Sequence, residues 1–426
     1  MALTIMPKNF ILRLMDVRVV ITGMGAVTPL GNDMKATWTA LKSGASGVNR
    51  ITKFDAAAFP CRIAGEVKGF DPLRYMNTGE VHKTDPFIQY ALAAAIMAAQ
   101  DAGLKITPHS SLRIGVLVGS GRGGVTTIEK NVAAYLARGH RAVSPFFPPM
   151  SLVNMASGYI SMKLGAKGPC LDVSTACATG THAIGEAMKI IERGDADVMI
   201  AGGAEAALTP AILAGFCQAR ALSQRNNEPE KASRPFDRDR DGFVLAEGAG
   251  VLILEELRRA EKRGARIYAE LAGYGLSSDA YHYTRPDPEG DGPARAMTLA
   301  LTDAGLGPED IDYINAHGTS TQSNDRIETL AIKKAFGAHA YKLAVSSTKS
   351  MLGHMLGAAG AVEAAVTALA LSEGTIPPTI NYEHPGPECD LDYVPNRSRK
   401  HAINAALSGS LGFGGINAAL ALKAWQ

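Results

Sequence analysis

The 426-residue chain contains no Cys-x-x-Cys pair, and its five cysteines (Cys61, Cys170, Cys177, Cys217 and Cys389) are scattered. Neither a zinc site nor a disulfide framework is therefore expected, and a reducing, cytoplasmic compartment fits best. No apolar run outside the N-terminus approaches the ~18 residues of a membrane span, so a soluble chain with no membrane partner is expected. Charge of one sign is also lacking. The 43 basic and 41 acidic side chains leave a formal net charge of +2. With no dense Lys/Arg block, nucleic acid is not an expected partner. Residues 1–15 are weakly basic and apolar but carry no secretory cleavage pattern; an extended start and an organellar leader both fit them. Linkers rich in Pro, Gly or Ser are missing too. A chain with 46% hydrophobic and 20% charged residues can build a large core, which excludes extensive disorder.

Short β-branched runs alternate with alanine-rich helical patterns. Val17–Thr22, Ile114–Gly119, Val198–Gly202, Gly250–Leu254, Tyr313–Ala316 and Ala344–Ser346 read as buried strands bounded by glycines. Pro86–Ala102 reads as a helix, with Phe87, Tyr90, Ala91, Ala94 and Met97 on its apolar face. This alternation predicts an α/β body with helices covering buried sheets. A weak internal echo accompanies it. A loop with Cys177 leads into the helical stretch Ala178–Arg193, closed by Gly194. Strand Ala344–Ser346 and a loop with Lys349 lead into Gly357–Leu371, closed before Gly374. Two copies of one layout suggest duplication.

Cys177 lies in Val-Ser-Thr-Ala-Cys-Ala-Thr-Gly-Thr, between a strand-like segment and a helix. At a helix N-terminus the macrodipole favours thiolate, and free N–H groups can hold a developing oxyanion. Alone, Cys177 could equally be a buried small residue. Its candidate partners are His317, in Asn-Ala-His-Gly-Thr-Ser-Thr at a strand end, and Lys349 and His354, in Ser-Ser-Thr-Lys-Ser-Met-Leu-Gly-His. A single His or Lys is commonly structural or solvated. Two His residues in Gly- and Ser/Thr-rich strand ends, with a Lys between them, point to chemistry.

These blocks, with Gly-Phe-Gly-Gly at 412–415, resemble the four active-site blocks of elongating β-ketoacyl-carrier-protein synthases, in order and spacing, from about Val17 to Ala424. The resemblance implies a thiolase-like α/β fold, with two duplicated halves in a five-layered αβαβα arrangement, here 17–265 and 266–426. It implies a homodimer that uses acyl carrier protein as partner and needs no cofactor or metal, because the phosphopantetheine comes on the carrier. Cys177 matches the acyl-accepting nucleophile. His317 and His354 match the pair that promotes decarboxylation of the malonyl group and holds its enolate. Lys349 matches the lysine whose charge organises the centre, and Glu363 the glutamate that partners it. Phe413 matches a gating phenylalanine whose N–H joins that of Cys177 as oxyanion hole, with Gly412 and Gly414 letting the loop move. Asp279, His282 and Thr284 resemble a segment near the pantetheine tunnel, and Thr319 and Thr321 are further expected substrate contacts.

The departures concern specificity more than catalysis. Gln322-Ser323 stands where the family usually has Pro, and Gly409, Leu411 and Ile416 alter the gating loop. Arg122, in Gly-Ser-Gly-Arg-Gly-Gly, occupies a position that in the family carries a medium-sized apolar side chain at the floor of the acyl pocket. A guanidinium cannot be buried unpaired in hydrocarbon. It either turns away toward the surface or dimer interface, or pairs with a carboxylate and narrows the pocket, favouring short primers.

Two motifs are rejected. Gly119–Gly124 has the spaced glycines of a dinucleotide loop but no acidic residue about 20 positions on. Asp237-Arg-Asp-Arg-Asp-Gly starts like a calcium loop, but its twelfth position is Gly248, with Glu247 one short. Among related activities, a degradative thiolase would need a second catalytic cysteine, and Cys389 lacks that context. Initiating synthases carry Asn in place of His354, and non-catalytic partner subunits lack the cysteine. A stand-alone ketosynthase of a type II polyketide pathway shares every catalytic residue and stays open.

Overall fold

A computed structural model describes residues 17–425; the N-terminal fifteen residues discussed above lie outside them. Ten strands form one continuous sheet. The first five are β1 (Val19–Val27), β2 (Ile114–Gly119), β3 (Cys170–Leu171), β4 (Val198–Glu205) and β5 (Gly248–Glu256), lying in the order β3-β2-β4-β5-β1. The second five are β6 (Ala269–Ser278), β7 (Tyr313–Asn315), β8 (Ala344–Ser346), β9 (Ala405–Gly412) and β10 (Ile416–Ala424), in the order β8-β7-β9-β10-β6. The two orders are the same. So are the pairing senses: in each half the second strand is parallel to the third and fourth, and the fifth is antiparallel to the fourth and first. The halves meet where Val19–Ile21 pairs antiparallel with Ala269–Leu271.

Helices fill three layers around the half-sheets. Helix α1 (Pro86–Asp101) covers β1 and β5, while α3 (Asp291–Ala304) covers β6 and β10, with α4 (Gln322–Phe336) beside it. Between the half-sheets lie α2 (Thr179–Glu192) and α5 (Ala359–Glu373). The result is an αβαβα stack with two apolar interfaces per half-sheet. That double coverage is why β1, β2 and β4 are buried at every position instead of alternating. Asp85 caps α1 by accepting from Phe87 N–H, and Pro86 supplies a pre-set first turn.

In α5, every residue from Ala359 to Leu371 is buried. Leu356–Glu373 is long and apolar enough, by length and composition, to cross a membrane, yet 89% of it is buried inside the protein. Counting uninterrupted apolar residues missed this segment because Glu363 breaks the run. The central helices cross at two glycines. A Cβ on Gly180 would sit 2.6 Å from Ala361 N, and one on Gly360 would sit 2.1 Å from Thr181 Oγ1. That close crossing brings the two helix starts, and the loops that precede them, to one place.

Candidate active site

Each central helix begins in the same way. Ala176 (φ 50°) opens a 3₁₀ turn, Ala176–Ala178, before α2, and Leu356 (φ 46°) opens Leu356–Ala358 before α5. Such left-handed non-glycine residues cost about 1–3 kcal/mol each and persist only where the surroundings dictate them. The echo read from the sequence is thus real in layout but shifted in register. Cys177 corresponds to Gly357, whereas Lys349 starts a separate short helix, Lys349–Leu352.

The nucleophile turn is tied by Thr179, whose hydroxyl donates to Ala176 O (2.7 Å) and accepts from Thr175 N–H (2.9 Å). Burial pushes the Cys177 thiol up to about 11, against the Lys349 charge, the Phe413 backbone N–H and the Arg122 charge, which pull it down. The macrodipole acts in the same direction as those three, but desolvation outweighs them. Burial thus works against the thiolate that the helix-start position favours.

His317 follows β7. Its N–H and that of Gly318 donate to the two oxygens of Glu328, at 2.6 and 2.7 Å. His354 is held by a short backbone ladder, donating to Val244 O (2.7 Å) and accepting from Ala246 N–H (2.9 Å). The two rings meet edge to face at 5.3 Å, and neither Nδ1 has a partner among the described residues. Burial and the Lys349 charge hold both imidazoles well below their ordinary range, so both are neutral. The Cys177 sulfur and one ring nitrogen from each histidine all lie within 4.8 Å of one another. Three such donors could in principle grip a metal ion, but the neighbouring Lys349 ammonium opposes a cation there. Lys349 itself is buried and ion-paired to Glu363 at 2.5 Å, both side chains about 2% exposed.

Cys177, His317 and His354 line a cavity of about 610 Å³, together with Thr319, Thr321, Asp279, Thr284, Gly412 and Phe413. The hydroxyls of Thr319 and Thr321 are 3.0 Å apart, and Thr321 also caps α4. Phe413 sits between β9 and β10, 39% exposed, at the cavity. Its loop is braced by the segment after β6. Gly414 N–H donates to Tyr283 O (2.9 Å), Asp279 N–H donates to Gly415 O (2.8 Å), and Asn417 donates to Asp279 Oδ1 (2.7 Å). His282 is not brought to the cavity. Its Nδ1 accepts from Thr284 and Arg285 N–H, and its ring stacks on Tyr283 at 4.2 Å, so it organises the loop instead.

Arg122 matches neither sequence expectation cleanly. It is exposed, yet it lines the cavity, with its guanidinium 5.6 Å from the Phe216 ring. Among the described residues no carboxylate forms an ion pair with it, although its charge pulls the Glu205 carboxyl down against burial; its guanidinium faces the Phe216 ring. Gln322 replaces the usual proline by bonding reciprocally with Arg240. A side chain on Gly409 would meet nothing within 4 Å, so the altered gating loop leaves open room there. Asp237 is committed to Arg234 and to the N–H groups of Asp239, Glu383 and His384, which makes its segment an ion-paired turn.

Two residues escaped the sequence reading. Glu328 fixes the His317 loop, as above. Glu205, at the end of β4, accepts from Gly121, Arg122 and Gly357 N–H and from the Ser120 hydroxyl, at 3.0–3.1 Å. It therefore ties the Arg122 loop to the start of α5, and burial raises it to about 7. The available signal was an acid inside an otherwise apolar strand or helix face, which is costly unless paired.

Residues 16–260 match the beta-ketoacyl synthase N-terminal domain and residues 268–383 its C-terminal domain. The 3-oxoacyl-[acyl-carrier-protein] synthase 2 of Coxiella burnetii is 56% identical over 406 residues, covering 95% of this chain and 98% of that one. Its counterpart in Synechocystis sp. is 52% identical, covering 96% and 98%. A beta-ketoacyl synthase from Burkholderia phymatum superposes with a TM-score of 0.90 at 37% identity, covering 96% and 100%. A ketosynthase structure with a type II polyketide acyl-carrier protein superposes at 0.89, also at 37% identity and the same coverage. With the Cys–His–His cluster, the doubled half-sheet and full-length identity above 50% in agreement, the chain belongs to the beta-ketoacyl synthase family.

Proposed function

We propose that the protein is a 3-oxoacyl-[acyl-carrier-protein] synthase of fatty acid elongation, which joins an acyl chain held on Cys177 to malonyl-acyl-carrier protein. The observation that carries this reading is the cluster of one buried thiol and two neutral imidazoles within 4.8 Å, at the wall of a cavity. In the first half-reaction the Cys177 sulfur displaces the carrier thiol from an acyl thioester, and its proton leaves with that thiol. In the second, the malonyl group loses CO2 and leaves an enolate oxygen, which imidazole N–H groups at His317 and His354 stabilise. The enolate carbon attacks the acyl carbonyl, with the oxyanion facing the N–H groups of Cys177 and Phe413. The C–S bond then breaks, giving a 3-oxoacyl carrier two carbons longer, and the thiolate takes a proton back. Neutral imidazoles suit this role because an N–H donor is needed without a proton to quench the carbanion.

The partner is acyl carrier protein, in keeping with the carrier complex of a ketosynthase neighbour. The phosphopantetheine arrives on that partner, and the chain's own residues perform every step without a bound cofactor. A homodimer is supported by the apolar face of helix Val125–Arg138, which exposes Ile128, Val132, Tyr135 and Leu136, and by exposed edge strand β3. The five unpaired cysteines favour the cytoplasm. A polyketide ketosynthase is the second reading, favoured by the shape match at 37% identity, but the fatty acid enzymes are more similar in sequence.

The test is mass spectrometry after incubation with acyl carrier protein, with Cys177→Ala as comparison. The acyl adduct is expected on Cys177, and the variant is expected to lose condensation while still decarboxylating malonyl thioester. An adduct on another cysteine, or condensation by the variant, would overturn the assignment. Repeated extension of one β-keto chain without reduction would identify the polyketide reading.

A further inference from the structure

The wall of the cavity carries a continuous row of aromatic rings that ends in a charge. His354 meets Phe243 at 5.4 Å, Phe243 meets Phe216 at 5.2 Å, and the Arg122 guanidinium lies 5.6 Å from Phe216. Arg122, Phe216, Phe243, His354 and Cys177 all line the same space. Glu205 feels this charge, which pulls its carboxyl down, but it forms no ion pair with the guanidinium. Its two oxygens are occupied by three backbone N–H groups and the Ser120 hydroxyl, one of those N–H groups being that of Arg122 itself. The Arg122 backbone is thus anchored, while its guanidinium makes no ion pair among the described residues.

A plain hydrocarbon laid along this wall would strip water from the guanidinium and return nothing but the Phe216 face. A cation–π contact is worth roughly 0.5–1 kcal/mol where exposed. Desolvating an unpaired charge costs several times that. A terminal carboxylate reverses the balance, because a guanidinium offers two parallel N–H donors to a carboxylate and gains a charge-assisted pair. The apolar rings between the two ends fit the methylenes in between. We propose that Arg122 is a specificity-determining residue, and that the favoured acyl group on Cys177 carries a carboxylate at its far end. This inference rests on the condensing activity proposed above and deepens it by naming the class of acyl chain.

The experiment compares, within each protein, condensation of carrier-bound ω-carboxyacyl chains with plain acyl chains of equal carbon number, over a graded series of lengths. Because each variant is read as a ratio, a general loss of activity cancels. The ratio at the best length is expected to fall at least tenfold, about 1.4 kcal/mol, in Arg122→Ile, with the gain in plain chains greatest at the longer lengths. Arg122→Lys, which keeps the charge but not the bidentate fork, is expected to retain only part of the preference, between wild type and Arg122→Ile. Adducts on Cys177, quantified by mass spectrometry, report the acylation step separately. Equal ratios in wild type and Arg122→Ile at every length would overturn the inference while leaving the condensing activity intact. Absence of condensation with either chain type by the wild-type protein would instead remove the function on which it rests.

Discussion

Replacing Lys349 by Met tests the electrostatic core of the site. Lys349 and Glu363 are paired at 2.5 Å with about 2% of either side chain exposed. Removing one partner of such a pair leaves the other charge buried and unpaired, at a cost of about 3–5 kcal/mol. Glu363 limits the loss by taking up a proton. Burial already raises its pKa, and Lys349 is the group that opposes the rise. The sign follows from linkage. In the variant the folded-state pKa is raised above the unfolded value near 4.5. The unfolded chain therefore releases this proton first, and stability falls as pH rises from about 4.5, by up to ~1.4 kcal/mol per pH unit until the folded pKa is passed. The penalty of Lys349→Met, read from urea unfolding at pH 5, 7 and 8.5, is thus expected to be smallest at pH 5. Adding Glu363→Gln should restore most of the loss at pH 8.5 and flatten the pH dependence. Decarboxylation should still fail in the double variant, which separates the lysine's role in the reaction from its role in stability. A penalty equal at all three pH values, or a double variant no more stable than the single one at pH 8.5, would refute the reasoning.

His317→Ala and His354→Ala should each leave acylation of Cys177 largely intact and slow malonyl decarboxylation by ~10²–10⁴-fold; a wild-type decarboxylation rate in either would remove its role. Gly415 has φ 69°, and a Cβ there would lie 2.7 Å from Asp279 Cβ. Gly415→Ala should slow acyl transfer and also lower the unfolding midpoint, because the left-handed φ and the overlap both strain the folded loop, and unchanged transfer kinetics would count against a moving loop. Since burial sets the Cys177 thiol at about 11, its alkylation by iodoacetamide should accelerate close to tenfold per pH unit from pH 7 to 9, and a plateau below pH 8 would show a lower value.

The strands buried on both faces were legible because their apolar runs end at glycines; Ile114–Gly119 and Ala344–Ser346 match to the residue. The first strand was misplaced, running Val19–Val27 instead of Val17–Thr22. Gly23 and Gly25 looked like a strand end, but they are interior positions where α1 comes too close for a side chain. A Cβ there would lie 2.4 Å from Ala98 O and 2.1 Å from Ala94 O. The same cause hid β6. Gly273 and Gly275 give way to α3, with Ala300 O at 2.3 Å and Ala296 O at 2.1 Å. Strands β9 and β10 went unread for a related reason, since Gly409, Gly412 and the glycine turn between them resemble a loop. Read as pairs, these glycines carry the duplication better than the helix starts did, because each marks where an outer helix presses on the first strand of its half.

The site was legible where chemistry demands a particular atom and illegible where a backbone needs an anchor. Cys177, His317 and His354 supply sulfur and ring nitrogens that few other side chains could supply, and their motifs surround them with small residues. Glu205 and Glu328 instead bind backbone N–H groups, which every residue has, so nothing in the neighbouring sequence points to their partners. The duplicated fold explains why such anchors are needed here. The two halves are equivalent in topology, yet one helix start presents Cys177 and the equivalent one presents Gly357, close against Gly121 and Glu205. A reactive side chain at both positions would crowd one cavity. With glycine at the second position, the other half is free to deliver His317 and His354 from the loops flanking its own strands. The anchors divide accordingly: Glu328 holds the His317 loop and the Val244–Ala246 backbone holds His354, while Glu205 ties the glycine start of the second half to the Arg122 loop.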